Sequence, residues 1–193
     1  MPTPNNINNN RLLITAPYQL KVDGALLDID PSFRTVLRTF AAFRDDELTN
    51  EIKLGLLIEN IYIEPMEEYT QEAVDKAIWF IKGGKHDSEE QGKSKLPTVD
   101  FAQDAQYIYD AFLKKGIDLD VVSDIHWWTW RAHFGELPEC FLTRLMYLRN
   151  KMRQPKGLDK DEKKECADIG WDIVNIKSNS GIDMMGNVDI WNI

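Results

Sequence analysis

The 193-residue sequence predicts a mainly α fold: a single-domain, bundle-like array of helices with one small β-hairpin near its amino terminus. Three features predict it. Apolar residues return every three or four positions in successive stretches, the spacing of a helix with one buried face. Tyr18 to Leu27 instead alternates in character around Asp23-Gly24, a strong hairpin signal. Asp104 to Arg153 holds three of the six tryptophans within four positions, between two further helical stripes. No other stretch offers so much apolar area in so few residues. The core is therefore expected to nucleate there, with the indoles pinning the helices on either side together.

In chain order, a polar, Asn- and Pro-rich start over 1–11 reads as a flexible terminus. A helical domain over 12–178 follows, and 179–193 reads as a carboxyl-terminal arm mixing Gly and Asn with apolar residues. The hairpin at 18–27 is expected to lean on the helices, because a lone hairpin is marginal in water. Asp30-Pro31 reads as a helix opening, with the carboxylate capping and proline at the first helical position. Phe33, Val36, Leu37, Phe40 and Phe43 then mark a helix ending near Arg44. A second runs from about Thr49 to Glu59 with Ile52, Leu54, Leu56 and Leu57 as its apolar members. Ile61 to Ile63 is short and β-branched, Glu64-Pro65 breaks it, and a helix over Met66–Ile81 ends at Gly83-Gly84.

The charged, Gly-rich text over 82–98 is the clearest loop, longer than usual connections. Ala105, Ile108, Tyr109, Phe112 and Leu113 form the next helical face, which Gly116 stops. A helix from Asp124 carries Trp127, Trp128, Trp130 and Phe134, and after Pro138 a third stripe holds Phe141, Leu142, Leu145, Met146 and Leu148. Adjacent helical positions diverge by about 100°, so the three tryptophans cannot share one narrow stripe. Either their helix is covered on more than one side or one indole is exposed, where it would make an interface anchor. A final helix is expected from Glu162 to about Lys177.

Composition narrows the function. Thirty-two acidic against 23 basic residues give a formal charge of −9, repulsive to nucleic acid unless one face is locally basic. No run of 18 apolar residues exists to span a membrane, and MPTPNNINNN shows no secretory signal. Cys140 and Cys166 lack the spacing of a disulfide framework or metal clip, which favours a reducing cytosol.

The candidate sites are weak ones for chemistry. His126, His133 and Cys140 recur every seven residues, but Pro138 interrupts the helix and a fourth zinc ligand is missing. Asp118, Asp120 and Asp124 lack the glycine and glutamate of a calcium loop; Asp124 is expected to cap the tryptophan-rich helix, and Asp118 a short turn. Glu64, Glu67 and Glu68 suggest no cleft that would pair them for acid–base work. The basic residues around Arg144, Arg149, Lys151 and Arg153 are diluted by Asp159, Asp161, Glu162 and Glu165, as on a solvated helix end. No catalytic, cofactor or metal motif appears, and the reading is of a protein that is not an enzyme.

The block IYDAFLKKGIDLDVVSDIHWWTWRAHFGELPE, followed by RLMYLRN, resembles the bacteriophage gene-product-fifteen family. The opening Asp28-Ile-Asp30-Pro-Ser-Phe33-Arg34 is similar too, so the likeness spans roughly Pro17 to Lys164. Trp130 stands where the family pattern has Phe, and the Asn-rich start and the arm after Asn179 depart from it. The resemblance implies a motif core of His126, Trp127, Trp128 and Trp130, framed by Gly116 and Asp118 and followed by Arg149. It implies a non-enzymatic tail assembly chaperone that binds the tape-measure protein, copies of itself, or both, in the host cytoplasm during assembly. Its rivals are a structural virion component, such as a tail or head–tail connector subunit, and a nucleic-acid-associated phage protein.

Overall fold

The computed structural model describes residues 15–84 and 98–177, so the flexible terminus expected over 1–11, the arm expected over 179–193 and most of the loop at 82–98 lie outside the described residues. The fold is mainly helical with a small amino-terminal hairpin, as the periodicities require. The described residues form two compact units, one from 15–84 with 124–131, the other from 98–123 with 132–177.

In the first unit, Asp23 and Gly24 both take positive φ (49° and 85°), the condition for a two-residue hairpin turn. This pairs β1 (Gln19–Val22) antiparallel with β2 (Ala25–Asp28), Leu20 opposite Leu27. Leu20 and Val22 face the core. The ribbon does lean on helices. The amide of Ile63 donates to Asp28, and that of Asp30 to Ile61, stitching the hairpin to the end of the second helix. At its other end the Asp23 amide donates to Glu72, and Thr70 donates to the Asp23 carboxylate at 2.8 Å.

Helix α1 (Phe33–Arg44) starts two residues later than Asp30-Pro31 suggested. Ser32 is its cap, accepting from the Arg34 amide, while the Asp30 carboxylate accepts from the Ser32 amide and the Thr35 hydroxyl. Pro31 and Ser32 stay extended because they pair with residues 125–127: Phe33 donates to Ile125, and Trp127 to Pro31 at 2.7 Å. α2 (Asn50–Ile61) is capped by Thr49 and packs on α1. Its buried face is Leu57, Ile58 and Ile61 with Lys53, whereas Ile52 is half exposed. α3 (Gln71–Ile81) begins five residues later than expected, at the Thr70 cap that the hairpin turn holds. It packs on α2 and β1, burying Ala73, Val74, Ala77, Phe80 and Ile81. Gly83 and Gly84, at φ of 74° and 80°, end it as foreseen.

In the second unit, α4 (Ala105–Lys114) closes in a double hydrogen-bonded turn at Gly116 (φ 82°): Gly116 donates to Leu113 and Ile117 to Phe112. α5 (Trp127–Gly135) begins among the first unit's residues, through Arg131, and ends among those of the second. α6 (Phe141–Met152) packs on α4 through Leu142, Leu145 and Leu148, while Phe141 stays largely exposed. The single helix expected over 162–177 is two: α7 (Lys160–Ile169) and a short α8 (Trp171–Val174). Gly170, at φ 105°, cannot continue an α-helix and breaks them apart. α7 opens with a reciprocal capping box, Asp159 accepting from the Glu162 amide and Glu162 from the Asp159 amide. The core here joins Leu145, Leu148, Leu158, Cys166 and Val174.

Two glycines of the first unit, Gly24 and Gly84, give a measurable contrast. A Cβ at Gly24 meets nothing within 4 Å, whereas one at Gly84 falls 2.6 Å from Trp128 Cη2. Gly24→Ala is expected to cost about 1 kcal/mol, from the positive φ alone. Gly84→Ala should cost clearly more, because an indole must also move; urea unfolding of both variants checks the order.

Candidate functional site

The motif stretch His126–Trp130 is built from backbone demands first. Residues 125–127 pair with 31–33, which fixes where α5 starts. His126 caps it, not Asp124: its Nδ1 accepts from the Trp128 amide at 3.1 Å, and its carbonyl receives Trp130. An accepting Nδ1 places the proton on Nε2, which lies 3.0 Å from the Pro17 carbonyl and donates to it. The ring also meets Tyr18 edge-on at 5.2 Å.

The three tryptophans then enter the interior of the first unit: Trp127 and Trp130 are fully buried and Trp128 is 5% exposed. Trp127 Nε1 donates to the Ile81 carbonyl at 2.7 Å, and Trp128 Nε1 to Phe80 at 2.8 Å, the last turn of α3. Trp130 stacks on Phe33 at 5.7 Å and on Trp127 at 5.4 Å; Trp127 meets Phe40 edge-on, and Trp128 meets Trp79. These ring partners come from α1 and α3. The backbone pairing at 31–33 sets the indoles against the end of α3. Of the alternatives read from the helical angles, the covered helix is the one found, and none of the three indoles is an exposed anchor.

The remaining motif residues lie in the second unit. Gly116 ends α4, and Asp118 Oδ1 accepts from the Asp120 amide at 2.9 Å and the Tyr109 hydroxyl at 3.1 Å. Burial, then the Asp118 hydrogen bond, push the Tyr109 phenol up to about 12. Arg149 is 2% exposed and makes five hydrogen bonds. Its Nη1 and Nη2 hold Asp104 end-on at 2.5 and 2.9 Å, and the remaining bonds go to the carbonyls of Thr98, Ile173 and Val174. Gln103 works beside it, donating to the carbonyls of Ile173 and Asn175 and accepting from the Lys177 amide. Together they bind the backbone around and just after α8, which is why the helix stops there.

Sequence reasoning missed Asp104 and Gln103 as partners of Arg149. One signal was present: Arg149 follows Leu145 by four positions, on the buried face of α6, where a lone cation needs a carboxylate. The basic concentration around Arg144 and Lys151 is neutralised locally. Arg144 holds Glu165 through Nε and Nη2, and Lys151 reaches Glu162 at 2.5 Å; these contacts hold both carboxyls below their usual range. Cys166 is buried, and desolvation raises its thiol pKa.

A family model described as Bacteriophage Gp15 protein matches residues 14–170, and the chain belongs to that family. No curated protein and no solved structure matches it.

Breaking the buried pair should be severe, since either survivor is left as an uncompensated charge. Arg149→Ala or Asp104→Ala is expected to cost about 3–5 kcal/mol, with a double Leu variant costing less than the sum of the two singles. His126→Ala removes a cap and a tie to Pro17, an expected loss of about 1–3 kcal/mol, part of which His126→Asn should restore through its own capping oxygen. Chemical denaturation of purified variants measures both sets.

Proposed function

We propose that this phage morphogenesis protein of the Gp15 family is a tail assembly chaperone, which binds the tape-measure protein, copies of itself, or both, in the host cytoplasm during assembly. The observation that carries this reading is the family match over 14–170. The geometry is in keeping with it. Trp127, Trp128, Trp130 and Arg149 are buried, so binding falls to what the surface of each unit presents. Leu26 and Ile63 in the first unit, and Leu113, Phe141 and Trp171 in the second, are large apolar side chains at the surface. Such residues can receive the apolar face of a client helix. No helix among the described residues is long and apolar enough to cross a membrane, and the charge of −9 disfavours nucleic acid as the partner.

Co-expression with the tape-measure protein of the same phage tests the proposal. The client is expected to remain soluble and to co-purify with this chain, and mass spectrometry of purified particles should find the chain missing. A client that aggregates equally with and without it would end the chaperone reading. Its recovery in particles at stoichiometric amounts would replace that reading with a structural role.

A further inference from the structure

The residues after α7 are held by the second unit much as a bound peptide would be. Past Gly170 the regular structure is the four residues of α8, too short a helix to stand alone. Between 171 and 177 only Val174 is fully buried, against Leu145, Leu148, Leu158 and Cys166, with Ile173 partly buried beside it. The rest of the hold is on main chain. Arg149 Nε donates to the Val174 carbonyl at 2.8 Å and Nη2 to that of Ile173 at 2.7 Å. Gln103 Nε2 donates to the carbonyls of Ile173 and Asn175, both at 3.0 Å, and its Oε1 accepts from the Lys177 amide at 3.1 Å. The groove is thus made by residues up to Cys166, and 171–177 fill it.

Gly170 gives the filling segment a second place to go. It sits at φ 105° and ψ 123°, where a residue with a Cβ is strained, and a Cβ there falls 2.8 Å from Asp172 Oδ1. The sequence across it is nonetheless written for one helix: Cys166, Ile169, Ile173 and Val174 recur at helical spacing. Brought to helical φ and ψ at Gly170 alone, α7 and α8 become a continuous helix that carries 171–177 out of the groove. Arg149 Nε then loses its acceptor and the pocket under Val174 opens, so the straight form is costly while the groove stays empty.

We propose that two copies of this chain associate by exchanging residues 171–177, each straightened helix filling the groove of the other copy. A second copy is the occupant that fits, because it brings the same Val174 and the same carbonyls to the same partners. Every contact of the bent form is remade across the dimer. The balance is left to the two Gly170 hinges and to the entropy of association. The exchange gives the self-association in the proposed function a surface, and it does not require the tape-measure protein.

Light scattering of the full-length protein over a range of concentrations tests it, beside Gly170→Ala. Alanine favours the straight hinge and is strained in the bent one, so the dimer dissociation constant is expected to fall by about tenfold or more. Gly157→Ala, at φ 59° with open space around the added Cβ, carries a backbone penalty away from the hinge and should leave that constant unchanged. The second readout uses isotope-labelled and unlabelled chains, mixed as monomers and concentrated together. Filtered spectra should then show Val174 methyls of one chain against Leu145 and Leu148 methyls of the other. A wild type that stays monomeric at millimolar concentration overturns the exchange. So does a dimer whose Val174 contacts remain within one chain, or an equal gain from Gly157→Ala. The wild type decides even if Gly170→Ala does not fold. Copies that exchange while the tape-measure protein aggregates regardless would end the chaperone reading and leave the exchange standing.

Discussion

The last turn of a helix leaves carbonyls without intrahelical amides; at the end of α3 the Gly83 amide donates to Phe80, and side chains from far along the sequence add further donors. Phe80 and Ile81 accept the indole N–H groups of Trp128 and Trp127, 48 and 46 residues away. Each indole buries on the order of 200 Å², worth about 5 kcal/mol at roughly 25 cal/mol per Å². A hydrogen bond contributes about 1 kcal/mol net, yet leaving the same donor and acceptor buried and unpaired costs about 1–3 kcal/mol. Apolar burial therefore supplies most of the stabilisation, and the hydrogen bonds select where it happens. Much of the first unit follows from this choice. Residues 125–127 must reach α1, His126 must cap α5, and Gly83-Gly84 must turn away without Cβ atoms because the indole of Trp128 and the guanidinium of Arg131 occupy that space.

The second unit solves a different problem. Arg149 enters an apolar interior, where an unpaired guanidinium would be costly, and its five hydrogen bonds to one carboxylate and three carbonyls offset the desolvation. Two of those acceptors, the carbonyls of Ile173 and Val174, lie at the end of α8, so the arginine also holds that end in place. Around Tyr147, the ion pairs of Arg144 and Lys151 with α7 are partly exposed and add little individually. They do explain why a cluster of cations that looks basic in sequence carries little free charge.

Local signals were readable where their cause is local. Asp23-Gly24, Gly83-Gly84 and Gly116 behave as their backbone freedom requires, and the periodic stripes of α1, α4 and α6 appear close to where the spacing puts them. Where reading failed, a distant group had taken over the local one. Asp30-Pro31 did not open α1, because Pro31 gives its carbonyl to Trp127. Asp124 did not cap α5, because a histidine ring two positions on stands directly under the Trp128 amide. The helix over Glu162–Lys177 broke at Gly170, whose weight periodicity alone underrates.

Taken alone, the sequence determined the mainly helical class and the hairpin with its turn, since these rest on neighbours within a few residues. It also carried the family resemblance, because that is a property of residue order. Only the tertiary structure decided which helices the indoles would join, and that Arg149 is a buried clamp paired with Asp104. A tryptophan's hydrophobic pattern states that it is buried without saying against what. Its partner is set by which surface the folded chain brings against it, and that is known only once the chain has folded back on itself.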